Sequence, residues 1–139
     1  TMYLLDTNVI SEIRKQQKAN QGVIHFFDMV KQQQHDLFLS VVTIGELRRG
    51  VDLIRHRGEV AQAILLEQWL NQVSIDYQKY ILTFDIDVAQ VWGRLRVPHH
   101  EHSLDKQIAA TALIYDLTLV TRNTADFVAT GVKLLNPFS

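Results

Sequence analysis

Two kinds of apolar pattern alternate along the chain. Short apolar runs at Met2–Leu5, Leu37–Leu39, Ile81–Leu82, Leu117–Val120 and Val132–Leu135 are expected to be strands. Longer stretches with apolar residues at i, i+3 and i+4 separate them: Thr7–Arg14, Gln21–Gln33, Thr43–His56, Glu59–Ser74, Ile86–Arg96 and Ser103–Tyr115. A brief helical turn is expected near Thr124–Val128. Strands alternating with helices imply right-handed crossovers, hence an α/β fold with a mostly parallel sheet covered on both faces. In such sheets ligands collect at the carboxyl ends of the strands, near the switch in strand order. No linker, repeat or low-complexity tract interrupts residues 2–139, which are expected to form a single domain.

Composition narrows the possible chemistry. The 139 residues are 47% hydrophobic and 21% charged, the balance of a globular protein able to bury a sizeable core. The chain has no cysteine, which excludes disulfides, thiolate zinc sites and cysteine nucleophiles, and fits a reducing cytoplasm. No signal segment is expected ahead of the first strand, and no apolar run approaches the ~18 residues of a membrane span. A net charge of −1 argues against a protein that coats nucleic acid generally, but leaves room for a local basic surface.

The stretch LLDTNVIS (Leu4 to Ser11) ends an apolar run with Asp6. Asp6 or Thr7 would cap the helix that follows, because both accept bonds from free first-turn N–H groups. In TIGELRRG, Thr43 and Glu46 have the spacing of a capping box. In HSLDKQIAATALIYDLTLVTRNTADF, Ser103 is an expected N-cap that places Asp105 in the first helical turn, where the helix dipole favours an anion. Asp126 falls near a further helix start. Each acid has an ordinary explanation, yet all four are expected at strand-to-helix junctions, which share one edge of a parallel sheet. Two unit charges ~4 Å apart repel by ~4 kcal/mol at an effective dielectric near 20, so protons, basic partners or a cation must offset such a gathering. An all-oxygen donor set suits Mg²⁺ or Mn²⁺.

These segments, in this order and closed by LLNPF, resemble the PIN-domain ribonucleases, and among them the VapC-type toxins of toxin–antitoxin pairs, including the FitB-like branch. The likeness runs from Met2 to Phe138. It implies a three-layer sandwich around a mostly parallel five-stranded sheet. It further implies Mg²⁺- or Mn²⁺-dependent cleavage of RNA, dimerisation, and inhibition by a small cognate VapB/FitA-like antitoxin. The metal-binding and catalytic acids it implies are Asp6, Glu46, Asp105 and Asp126. Some relatives carry an acid at the position of Asn123 and others at that of Asp126; Asp126 is taken as the fourth acid, with Asn123 as a supporting polar group. Thr7, Asn8 and Thr121 match polar positions lining the same pocket.

RNA requires positive charge near the acids. Arg14 and Lys15, Arg48 and Arg49, Lys106 and Arg122 are the candidates, while Arg55, His56 and Arg57 are expected to be a solvated helix end. His99, His100, Glu101 and His102 have no second ligand cluster at zinc spacing and are expected to form a loop. Trp69 and Trp92 sit at helical positions and are expected in the core or at a dimer interface rather than as base-stacking platforms. A haloacid-dehalogenase-like phosphatase would need an acid where Asn8 stands, and a nucleotide-binding fold would need a glycine-rich loop. The alternative that remains is a catalytically silent PIN-like module that binds RNA or protein.

Overall fold

A computed structural model describes residues 1–139. The elements run β1 (Met2–Leu5), α1 (Thr7–Ile13), α2 (Gln21–Gln33), β2 (Asp36–Ser40), α3 (Val41–His56), α4 (Val60–Asp76), β3 (Ile81–Leu82), α5 (Ile86–Leu95), α6 (Ser103–Ile114), β4 (Thr118–Val120) and β5 (Leu134–Leu135). Short 3₁₀ segments lie at Gln16–Lys18, which the apolar pattern does not mark, and at Thr124–Thr130. The five strands order as β3-β2-β1-β4-β5, and every pairing is parallel.

Alternation along the strands divides the core into two layers. Leu5, Leu39 and Val120 face Val9, Ile10, Val23, Phe26, Leu47, Val51, Leu70 and Val73 from α1 to α4. Leu4 and Leu119 face the other way, against Ile108, Ala109, Ala112 and Phe127. Ala109 and Ala110 are completely buried in α6, as expected where a small side chain permits close packing. No helix is long and apolar enough to cross a membrane.

Two helix starts differ from expectation. Ser40, not Thr43, caps α3, its Oγ accepting from the Val42 N–H at 3.0 Å. The helix begins directly at the end of β2, and the β-branched pair Val41–Val42 hides that start from a propensity reading. Thr43 is therefore fully buried inside the helix and Glu46 is free of any capping role. At α6 the N-cap position is held by His102, in the left-handed region with φ 55°, and not by Ser103. Helix α6 also follows α5 without an intervening strand, so Asp105 does not sit at a strand-to-helix junction as expected.

The segment after β5 folds back onto the start of α2. Asn20 Oδ1 accepts from the N–H groups of both Gly22 and Ser139 at 3.0 Å. A Cβ on Gly22 would lie 2.1 Å from the Pro137 carbonyl oxygen, so only glycine permits this approach.

Candidate active site

Asp6 follows the last residue of β1, the central strand, and is 4% exposed. It does cap α1: Oδ1 accepts from the Thr7 N–H at 2.8 Å. Its Oδ2 accepts from Thr121 Oγ1 at 2.8 Å and from Asn8 Nδ2 at 3.4 Å. Asn8 in turn accepts from the Arg122 N–H at 3.1 Å, tying the end of β1 to the segment after β4. Thr121 is fully buried and also accepts from the Asn123 N–H at 3.1 Å. The polar side chains Asn8 and Thr121 thus orient Asp6, and capping and site-building are the same set of bonds.

Glu46 lies about one and a half turns into α3, on the side facing α1. Thr7 Oγ1 donates to its Oε1 at 3.1 Å and stands 3.5 Å from the hydroxyl of Thr43. Thr43 belongs to this set as well, although its T-x-x-E spacing with Glu46 looks like a capping box. Asp105 occupies the first turn of α6, and Asp126 the first turn of the 3₁₀ segment, where it is exposed.

Electrostatics connects these acids. Burial pushes the Asp6 carboxyl above its ordinary value, against the pull of the bonds from Thr121, Thr7 and Asn8. Glu46 is raised first by burial, then lowered by Thr7 and raised by the charges of Asp6 and Asp105. Asp105 is raised by burial and by Asp6 and Asp126, and lowered by His102, whose Nδ1 is 3.9 Å from Oδ2. No lysine or arginine forms an ion pair with any of the four; Lys15, Arg48 and Arg55 pair with other carboxylates. A carboxyl raised in the folded state adds stability below its unfolded pKa and loses it as pH rises through the folded pKa. At neutral pH Asp6, Glu46 and Asp105 therefore destabilise the metal-free chain. No three carboxylate or imidazole groups are close enough to form a cage by themselves. Mg²⁺ does not require one, since it is commonly held by one or two carboxylates and keeps several waters.

The basic residues divide into two groups. Arg48 is turned onto α4, where it bonds Glu67, and Arg55 reaches the same carboxylate at 3.1 Å. This network fastens α3 to α4; Arg55 stands in the last turn of α3 as expected and joins the network as well, while His56 and Arg57 are exposed. Lys15 is held by Glu12 at 3.0 Å. Arg49 is exposed, Lys106 Nζ donates to the His99 carbonyl, and Arg122 lies over the Phe138 ring at 4.7 Å. Arg14 lies 6.0 Å from the centre of the Trp69 ring and forms no ion pair. Trp69 packs against the core while also walling a cavity, and Trp92 bonds the Ser103 carbonyl at 3.1 Å, joining α5 to α6.

Two cavities are relevant. The larger, about 530 Å³, lies between α2, β2 and the end of α4, and none of the four acids lines it. The smaller, about 290 Å³, is lined by Thr7, Glu46, Arg14, Leu66 and Trp69 among others.

The PIN-domain family model matches residues 3–133. The chain is 35% identical over 142 aligned positions to toxin FitB of Neisseria gonorrhoeae, covering 99% of each sequence. It is 30% identical to the VapC ribonuclease Y4jK of Sinorhizobium fredii, covering 99% of this chain and 98% of the relative. Among solved structures it resembles that of FitAcB from Neisseria gonorrhoeae, with a TM-score of 0.83, 35% identity and 98% of each chain covered.

Proposed function

The chain belongs to the PIN-domain family, and from that premise we propose that it is the ribonuclease toxin of a toxin–antitoxin pair, cutting RNA with a divalent metal held by Asp6, Glu46, Asp105 and Asp126. The observation that carries this reading is the placement of the buried Asp6 and of Glu46 on either side of Thr7, which bonds both, with no lysine or arginine ion-paired to Asp6, Glu46, Asp105 or Asp126. Hard oxygen donors in mutual repulsion fit Mg²⁺ or Mn²⁺. Asp6 and Asp105 would hold the ion, with Glu46 and Asp126 completing the site directly or through water. Such an ion, when bound, neutralises phosphate oxygens and lowers the pKa of a water.

The protein's own groups account for the remaining tasks. Thr121 and Asn8 fix the Asp6 carboxylate, so little reorganisation is needed when a ligand arrives. Glu46, raised above the ordinary carboxylate range by burial and steered by Thr7, takes the proton of the attacking water. Arg49, Lys106 and Arg122 supply positive charge for flanking phosphates. Arg48 and Lys15 are engaged within the chain and are left out of that role. The solved neighbours are toxin–antitoxin complexes, and a cognate antitoxin is the partner that silences this chain.

Expression in a bacterial host tests the reading. The wild-type chain is expected to arrest growth, Asp105→Asn to be tolerated, and co-expression of the small protein encoded beside it to restore growth. Equal tolerance of wild type and Asp105→Asn at matched protein levels would contradict the assignment.

A further inference from the structure

The 290 Å³ cavity beside Glu46 is distinct in chemistry from the carboxylate cluster. Its lining combines the apolar side chains of Ile54, Leu66 and Trp69 with the hydroxyl-bearing Thr7 and Ser11 and the cationic Arg14. Thr7 and Glu46 belong to both cavity and acid cluster and bond each other at 3.1 Å, so the two spaces share a wall. A phosphate at the carboxylates would bring its neighbouring nucleotide to this opening.

We propose that this cavity is a nucleobase subsite, in which Trp69 and Arg14 receive the base next to the scissile phosphate and so set which RNA sequences are cut. The proposal rests on the ribonuclease reading and adds a determinant of specificity to it. An aromatic face and a planar guanidinium are the surfaces on which bases stack, and hydroxyls can bond base edges. Arg14 also decides between occupants. A protein segment that neutralises an acidic site brings cations, which Arg14 repels, whereas RNA brings phosphate, which it attracts. Arg14 is free for this because no carboxylate of the chain pairs with it, in contrast to its neighbour Lys15. The expectation that Trp69 serves the core is half met: one part packs on the core and another part walls the cavity.

Two measurements separate this proposal from the function on which it rests. In EDTA, the Trp92→Phe chain retains Trp69 as its single tryptophan, and a random-sequence RNA decanucleotide should quench its fluorescence. Arg14→Gln should weaken that binding about tenfold, the scale of one stacked base. With Mn²⁺ and a randomised RNA pool, Arg14→Gln and Trp69→Leu should raise KM about tenfold, change kcat little, and relax base preference at one position beside the cut. The subsite is overturned if cleavage sites and KM stay as in wild type, and the cavity passes to the antitoxin if the same variants escape neutralisation. A fall in kcat alone, with KM and site preference unchanged, also overturns it by making both residues structural. If RNA quenches Trp69 but the wild-type chain cuts nothing, the ribonuclease reading fails and the base subsite stands.

Discussion

Asp6→Asn is expected to lower metal-dependent RNA cleavage by about a thousandfold or more while the chain stays folded. The substitution keeps the shape of the side chain and its capping ability, since Asn caps helices as well as Asp. What it removes is the negative charge at the best-buried of the four acids, together with one acceptor oxygen, the one that takes bonds from Thr121 and Asn8. Each ~1.4 kcal/mol of lost transition-state stabilisation is tenfold in rate, and a metal's charge stabilisation is worth several kcal/mol. The measurement is a time course on labelled RNA with Mg²⁺ or Mn²⁺ beside a thermal melt. Equal cleavage by the two chains would contradict the role given to Asp6, and equal, negligible cleavage would leave only a binding module.

Phe127→Ala carries the largest expected cost to stability, about 3–5 kcal/mol. Phe127 is completely buried and packs with Leu4, Ile108, Leu117 and Leu119, the layer that holds α6 against the sheet. It is also the residue next to Asp126, so its ring anchors the 3₁₀ segment that carries the fourth acid. Against a typical total of ~5–15 kcal/mol, the loss is a large fraction. Urea unfolding followed by circular dichroism measures it; a change below ~1 kcal/mol would show that the ring is not the anchor of this layer.

The fold was legible where local signals and packing agree. Helix α2 has the expected bounds, Gln21–Gln33, because Asn20 caps its start and the apolar positions Val23, Phe26 and Val30 repeat on one side. Every expected strand is present, each central one being too apolar to stand outside a sheet. Signals with two meanings were less informative. T-x-x-E at Thr43–Glu46 reads as a cap, yet Ser40 does the capping and the same spacing instead places Thr43 and Glu46 near Thr7. Asp105 looks in sequence like a residue that follows a strand, whereas α6 follows α5 directly and packs against it. Arg48 was an RNA candidate by its nearness to Glu46, but a partner nineteen positions on, Glu67, takes it, and no local spacing reveals such a pair.

Calorimetric titration of the metal-free chain with Mn²⁺ at pH 7.5 and pH 5.5 tests the central claim most directly, that a divalent ion relieves the repulsion among these carboxylates. Because the folded carboxyls are raised, binding should release protons as pH falls towards their range and be weaker at pH 5.5 than at pH 7.5. Saturable binding at pH 7.5 that weakens on acidification and disappears in both Asp6→Asn and Asp105→Asn is the predicted result. No saturable binding at either pH, or binding that persists unchanged in both variants, would contradict it.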